Sequence, residues 1–176
     1  MFFDTKVRQL RIRKWVREGA TIGLNFQLER GSFLDSSFPW LITIGNNVTL
    51  APDVLVLCHD GSTKKAIGYS KVGTVVIGDN VFVGAKSVIL PNTIIGDNVV
   101  IGAGSIVGGE IPSNTVVAGA PAKVIQSYEE FKAKNEARMA SGHAFDTSYT
   151  NRGGVTRERK GEMRQILDND SHGFIV

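Results

Sequence analysis

The candidate for acid–base chemistry is His59, which follows the chain's single cysteine, Cys58. A neutral imidazole, with a pKa of about 6.5, can accept a proton from a hydroxyl or an amine at neutral pH. By residue type alone a surface position is commoner for a histidine, so the surroundings of His59 must decide. His143 and His172 lie in the polar C-terminal part and are interpreted as surface residues. Neighbours on an extended strand point to opposite faces, so we expect Cys58 to pack in a core or interface rather than form a nucleophilic pair with His59.

The surroundings of His59 have a regular spacing, because aliphatic residues recur every six positions on both sides of it. They are Ile44, Leu50 and Val56, then Ile77, Val83, Ile89, Ile95, Ile101 and Val107. Small, turn-forming residues follow, as in Ile77-Gly78-Asp79-Asn80, which predicts a short strand and a corner where glycine supplies a positive φ. Three such sides would close a coil of about eighteen residues, and stacked coils would bury an apolar face that one coil cannot. This pattern favours a β-helix over a β-sandwich.

The six-residue spacing is interrupted twice. The same spacing begins earlier in the chain, at Ile22, Leu28 and Leu34. One break lies between Leu34 and Ile44 and contains Phe38-Pro39-Trp40, and the other lies between Val56 and Ile77. Insertions in repeat proteins form loops, often on the binding face. His59 stands where the second break begins, so we expect the chemistry there.

The spacing and the composition divide the chain into three predicted regions. Residues 1–20 form a capping helix, 21–126 the β-helix catalytic domain with an insertion at 60–74, and 127–176 a helical extension. A Gly/Ser/Asn/Thr-rich stretch, 141–154, is interpreted as an extended arm.

The N-terminal helix is predicted to be amphipathic and to cover the open first coil. Its apolar side is Val7, Leu10, Ile12 and Trp15, and basic residues surround it. The basic residues are interpreted as a solvated face, and the alternative is weak association with an anionic membrane surface or with a nucleotide-bearing ligand. They are Lys6, Arg8, Arg11, Arg13, Lys14 and Arg17. Nucleic acid binding is not expected, because no aromatic residues alternate with the charges.

Composition limits the protein's class. The chain has 176 residues and a net charge of +3, and its one cysteine excludes an internal disulfide. It has no apolar run of about twenty residues, and its first residues do not resemble a secretory signal. We therefore expect a cytoplasmic location.

Three stretches resemble the hexapeptide-repeat acyltransferases, in particular the galactoside, maltose and exopolysaccharide O-acetyltransferases. They are 44–59 with the insertion that follows, 75–107, and 111–125, which ends in Val117-Ala118-Gly119-Ala120-Pro121-Ala122-Lys123-Val124-Ile125. The resemblance implies an all-β solenoid, namely a left-handed parallel β-helix, with a short N-terminal helix and a C-terminal helical extension. It also implies a homotrimer with an acyl-coenzyme A donor bound between subunits, and an alcohol or amine acceptor.

The resemblance also implies roles for individual residues. His59 matches the family's catalytic base, and Asp35 is preferred over Asp60 as the carboxylate that orients it, whereas Asp53 is interpreted as a corner residue. The implied donor contacts are Ala85, Ala103, Gly108, Gly109 and Lys123. The insertion after His59 is expected to shape the acceptor site, with Asp60, Lys65 and Tyr69 as the acceptor contacts. Gly108-Gly109 stands where relatives often have Thr-Lys, which removes one phosphate contact.

The function predicted from these features is an acetyl-CoA-dependent O-acetyltransferase that acts on a hydroxyl of a sugar or polysaccharide precursor. The mechanism uses a ternary complex, with His59 as base and without a metal. The alternatives are N-acetylation of an amino sugar or nucleotide sugar, serine O-acetylation, and a non-enzymatic β-helix assembly module. A zinc enzyme of the carbonic anhydrase type would need three imidazoles, and the repeat region contains only His59.

Overall fold

The computed structural model describes residues 2–169 and 172–176 and divides them into two compact units. The first unit ends at Tyr128 and the second begins at Glu129. The six-residue spacing and both of its breaks lie in the first unit, which therefore contains the candidate site.

Most strands of the first unit are only two or three residues long, and they are collected in three sheets with parallel pairing between successive coils. The first sheet contains β1 (Thr21–Ile22), β4 (Ile42–Ile44), β9 (Val75–Ile77), β12 (Thr93–Ile95) and β15 (Glu110–Ile111). The second contains β2 (Gln27–Leu28), β5 (Thr49–Leu50), β10 (Phe82–Val83), β13 (Val100–Ile101), β16 (Thr115–Gly119) and the antiparallel β17 (Ala122–Ser127). The third contains β3 (Phe33–Leu34), β6 (Leu55–Val56), β11 (Val88–Ile89) and β14 (Ile106–Val107).

From β1 to β16, consecutive strands of these sheets belong to the first, second and third sheet in that order, so three consecutive strands form one three-sided coil. Each strand pairs with its counterpart on the next coil, as Ile77 pairs with Ile95 and Val83 with Ile101. The residues of the six-residue spacing from Ile44 to Val107 point inward and are at most 1% exposed. They form one continuous core along the coil axis.

At the corner between the first and second sheets, positive φ and glycine fall on different residues, which corrects the sequence prediction. The positive φ angles belong to asparagines, whose side-chain amides form a hydrogen-bonded ladder from coil to coil with distances of 2.9–3.2 Å. The ladder consists of Asn25, Asn47, Asn80, Asn98 and Asn114. The glycines of this corner are needed for close packing instead: a Cβ at Gly23 would lie 2.6 Å from the carbonyl oxygen of Gly45 on the next coil.

The two breaks in the spacing form structures of their own. The first contains a short 3-10 helix, Pro39–Leu41. The second leaves the coil as the antiparallel pair β7 (His59–Asp60) and β8 (Lys71–Val72), with a 3-10 turn at Gly61–Thr63 and α2 (Lys64–Ile67) between them. The Gly73 amide then donates to the Cys58 carbonyl at 2.9 Å, which returns the chain to the coil.

The N-terminal helix, α1 (Phe2–Arg17), packs on the core through fewer apolar residues than the sequence predicted. Trp15 is buried and Ile12 packs against the core, but Val7 is 43% exposed and Leu10 is 63% exposed. The prediction is therefore wrong for Val7 and Leu10. At 3.6 residues per turn, Leu10 lies about 140° around the helix from Trp15, so one face cannot bury both.

The inward face of α1 carries two arginines instead. Arg8 Nη1 donates to the Leu28 carbonyl at 3.1 Å, and Arg11 Nη2 donates to the Ser32 carbonyl at 2.8 Å. The Arg11 guanidinium also lies 5.0 Å from the centre of the Trp15 ring. The solvated-face interpretation is thus wrong for Arg8 and Arg11, which satisfy carbonyl groups on the first coil.

The second unit contains the predicted helices and one additional sheet. The helices are α3 (Tyr128–Ser141), which begins one residue before the unit boundary, and α4 (Arg157–Asn169). The predicted extended arm contains β18 (His143–Phe145) and a 3-10 turn, Thr147–Tyr149. Strand β18 pairs in parallel with β19 (Gly173–Ile175), a long-range pairing that residue types do not indicate.

We expect Arg11→Ala to lower the free energy of unfolding by about 1–3 kcal/mol, because it removes a charged hydrogen bond and a cation–π contact. Arg13→Ala is the matched control, since Arg13 is exposed on the same helix. Urea denaturation at a fixed protein concentration measures both variants. Equal losses in the two would contradict the role of Arg11 at the first coil.

Candidate active site

His59 and Asp35 lie side by side because of the coil stacking. Strands β3 and β6 pair Leu34 with Val56, which brings the residues that follow each strand together. The distance from His59 Nδ1 to Asp35 Oδ2 is 2.5 Å. Asp35 is 1% exposed, whereas the His59 side chain is 40% exposed. A buried carboxylate thus orients an imidazole that remains open to a substrate.

Asp35 is held in its ionised form by hydrogen bonds. Burial favours the neutral acid, but the Cys58 amide, the His59 imidazole and the Ser37 amide all donate to the carboxylate, at 2.9, 2.5 and 3.0 Å. Together they hold the pKa of Asp35 below its usual value. An ionised Asp35 favours the tautomer in which Nδ1 carries the proton and Nε2 has a free lone pair. The orientation suits His59 to act as a base through Nε2.

Cys58 belongs to the core, as the strand geometry predicted. It is 0% exposed, and burial, followed by the nearby Asp35 charge, raises the pKa of its thiol to about 12. The thiol therefore stays protonated at neutral pH and is a poor nucleophile. Only its backbone amide takes part in the site, as a donor to Asp35.

A cavity of about 570 Å³ adjoins the imidazole. Its lining residues are Leu57, His59, Asp60, Gly61, Lys71, Leu90, Pro91 and Asn92. The polar groups among them include Asp60 and Lys71, which face each other with 3.8 Å between Oδ2 and Nζ. Mixed donors and acceptors beside a base suit a small polar acceptor.

Among the residues proposed to contact the acceptor, only Asp60 lines this cavity. Its carboxylate also accepts from the Ser62 amide at 2.8 Å, and this contact begins the turn that follows β7. Lys65 and Tyr69 are exposed in the same insertion but do not line the cavity.

The proposed donor residues lie at two different corners of the coil. Gly108 is beside the cavity, since a Cβ there would lie 3.4 Å from the Leu90 side chain, and Gly109 follows with a φ of +75°. Ala85 and Ala103 stack on successive coils at another corner, where the Gly104 amide donates to the Ala85 carbonyl.

Lys123 extends the line of Ala85 and Ala103. It pairs with Ala118, and Ala118 packs against Gly102 at the same corner. The first unit of a single chain thus does not gather the proposed donor residues in one place.

Several residues of the site are not predicted by the sequence. The Phe38 ring lies 5.4 Å from the His59 ring, and Leu90, Pro91 and Asn92 line the cavity. Leu90 could have been found from the spacing, because Leu57 and Leu90 follow positions that stack on neighbouring coils. Residue types gave no comparable signal for Phe38.

Comparison with known proteins identifies the family. The family model described as "Bacterial transferase hexapeptide (six repeats)" matches residues 74–109. Protein CapG of Staphylococcus aureus is 39% identical over 141 residues, which cover 76% of this chain and 81% of CapG. The chain belongs to the hexapeptide-repeat transferases. The resemblance noted in the sequence is thereby confirmed.

Two solved structures have a similar fold to this transferase. A maltose O-acetyltransferase from Clostridium difficile 630 is 41% identical with a TM-score of 0.51, and the match covers 60% of this chain and 57% of that one. The hexapeptide-repeat acetyltransferase VCA0836 of Vibrio cholerae, complexed with acetyl coenzyme A, is 26% identical with a TM-score of 0.56. That match covers 62% of this chain and 61% of VCA0836.

The accessibility of the Cys58 thiol tests whether the residues around the candidate site of this transferase are packed as described. We expect iodoacetamide to leave the folded protein unlabelled at neutral pH, because the thiol is buried and protonated. Unfolding in guanidinium should expose one thiol per chain, and Cys58→Ser should take up no label in either state. Mass spectrometry counts the adducts, and rapid labelling of the folded protein would contradict the buried position.

Proposed function

We propose that this chain transfers an acetyl group from acetyl-CoA to a hydroxyl group of a sugar or polysaccharide precursor. The observation that carries the proposal is the His59–Asp35 pair at an open polar cavity. The acyl-CoA-dependent acyltransferase class follows from the family, and VCA0836 supports acetyl-CoA as the donor. The maltose O-acetyltransferase supports a sugar acceptor.

In the proposed reaction His59 first accepts a proton and later donates it. Nε2 accepts the proton of the acceptor hydroxyl as the oxygen attacks the thioester carbonyl, and Asp35 stabilises the imidazolium that forms. The carbon–sulfur bond then breaks, and the leaving thiolate takes the proton from Nε2. The products are an acetyl ester and coenzyme A, and His59 returns to its neutral form.

The cavity supports a hydroxyl-rich acceptor. Asp60 accepts hydrogen bonds, Lys71 donates them, and Asn92 can do both, so the three can bind several neighbouring hydroxyl groups. A non-enzymatic assembly module would give no role to a buried carboxylate that orients an open imidazole.

We further propose that the coil is a left-handed β-helix and that the active protein is a homotrimer. Gly108 and Gly109 lie at one corner, and Ala85, Ala103 and Lys123 at another. A donor bound between two subunits could contact one corner of each. A closed ring of identical interfaces would form three such sites.

We also propose that the reaction takes place in the cytoplasm. The outer face of α1 supports a weak association of the protein with anionic membranes. Lys6, Arg13 and Arg17 are exposed there together with Leu10. Clustered cations near an anionic surface favour such binding. Among residues 2–169 and 172–176, none of the helices is both long and apolar enough to cross a membrane.

The role of His59 as the base predicts a large loss of turnover on its removal. We expect His59→Ala to lower kcat by about 10²–10⁴-fold, since the acceptor hydroxyl loses its base. Asp35→Asn should also lower kcat, because the amide no longer stabilises the imidazolium or fixes the tautomer.

The measurement is steady-state release of coenzyme A, with calorimetric donor binding and circular dichroism as checks on folding. His172→Gln, an exposed histidine of the second unit, is the control and should keep full turnover. Wild-type turnover in a folded His59→Ala variant would remove His59 from the mechanism.

Lys123 is proposed to contact a phosphate of the donor. Because a charged hydrogen bond contributes about 1.5–3 kcal/mol, Lys123→Ala should weaken acetyl-CoA binding by about tenfold or more, and less so at high salt. Acetyl-pantetheine, which lacks the nucleotide, should bind wild type and variant equally. Lys160→Ala, an exposed lysine of α4, is the control variant.

Mixing variants tests whether two subunits share the donor site. If they do, coexpressed His59→Ala and Lys123→Ala chains should form some sites that contain both wild-type residues, and these sites should have wild-type affinity for acetyl-CoA. If each site lies within one chain, every active site in the mixture will carry the weakened affinity of Lys123→Ala.

A further inference from the structure

Three aromatic rings follow one another outward from the proposed base. The centres of the His59 and Phe38 rings are 5.4 Å apart, and those of Phe38 and Trp40 are 5.7 Å apart. Phe38 is half-buried against the core, whereas Trp40 is 61% exposed. The series therefore leads from the edge of the reactive site to an open indole surface.

The backbone around these rings is firmly held. Pro39 is buried and begins the 3-10 helix, and the Ile42 amide donates to the Pro39 carbonyl. Trp40 also packs closely on Gly19, where a Cβ would lie 2.9 Å from the Trp40 Cβ. A buried proline and a close backbone approach thus fix the backbone from which the Trp40 ring extends into solvent.

An exposed indole on a fixed backbone, with its ring against Phe38, suits a ligand with one apolar face. Tryptophan offers a large contact area with little loss of conformational freedom. The C–H groups on one face of a pyranose ring form such an apolar face, while its hydroxyl groups remain hydrated at the edge. The cavity with Asp60, Lys71 and Asn92 adjoins His59, and so does Phe38. An acceptor of more than one sugar ring could contact both.

We propose that Phe38 and Trp40 form an outer subsite, on which a second sugar ring of the acceptor stacks while the first ring presents its hydroxyl to His59. This inference rests on the proposed sugar acceptor and specifies it as at least a disaccharide. Trp40 acts on binding and on the choice of acceptor. It plays no part in the proton transfer.

Kinetics with paired acceptors test the subsite. The acceptors are maltose, lactose, cellobiose and N,N′-diacetylchitobiose, each compared with its monosaccharide. For the disaccharide that is acetylated fastest, Trp40→Ala should raise KM on the order of tenfold and leave the KM for acetyl-CoA unchanged. The monosaccharide KM should change little, and Trp40→Phe should keep most of the disaccharide affinity.

Leu24→Ala is the matched control, because Leu24 is another large apolar side chain, 75% exposed, in the first unit. It should leave all constants unchanged. Equal effects of Trp40→Ala on mono- and disaccharides would overturn the subsite. So would dissociation of the oligomer in light scattering, which would show Trp40 to be a subunit contact.

A binding measurement separates the subsite from the proposed reaction. The chain has two tryptophans, and Trp15 is buried, so a sugar stacked on Trp40 should change the fluorescence of the exposed indole. Saturable changes with a disaccharide should occur in the wild type and in His59→Ala, and should be lost in Trp40→Phe. Binding without acetyl transfer would support the subsite and contradict the proposed function. Transfer without any response of Trp40 to any of the disaccharides would overturn the subsite alone.

Discussion

The direct stacking of one coil on the next is the constraint on which the other features of the first unit depend. Glycines at the corners allow it, since a Cβ at Gly23 or Gly78 would lie 2.6 or 2.9 Å from the backbone of the next coil. The asparagine ladder beside these glycines links coil to coil through side-chain amides. Because the register is fixed in this way, the aliphatic residues of successive coils stack and form one apolar core.

The candidate site follows from the same register. Asp35 and His59 belong to different coils, and they meet because Leu34 pairs with Val56. Two departures from the regular coil then add the chemistry: the second break carries His59 outward, and the first places Phe38 against its ring. A rigid stack thus presents groups on irregular segments, which is how many scaffolds position a reactive side chain.

Residues with a repeated local role could be predicted from the sequence, and those defined by a single long-range contact could not. The six-residue spacing identified the inward aliphatic positions, and the break after Val56 pointed to His59. The ring contact of Phe38, the inward turn of Arg8 and Arg11, and the pairing of β18 with β19 each depend on a partner far along the chain. Asp35 is intermediate, because only the family resemblance indicated it and the hydrogen bond to His59 now gives a physical reason.

The arginines of α1 have a consequence for how the protein behaves in concentrated solution. A stack of parallel strands ends in backbone groups that could pair with a strand of another molecule, and such edges promote end-to-end polymerisation into fibres. Arg8 and Arg11 occupy the carbonyls of Leu28 and Ser32 on the first coil, and the body of α1 lies over the core there. The helix that covers the hydrophobic core therefore also prevents a strand of a second molecule from pairing with the first coil.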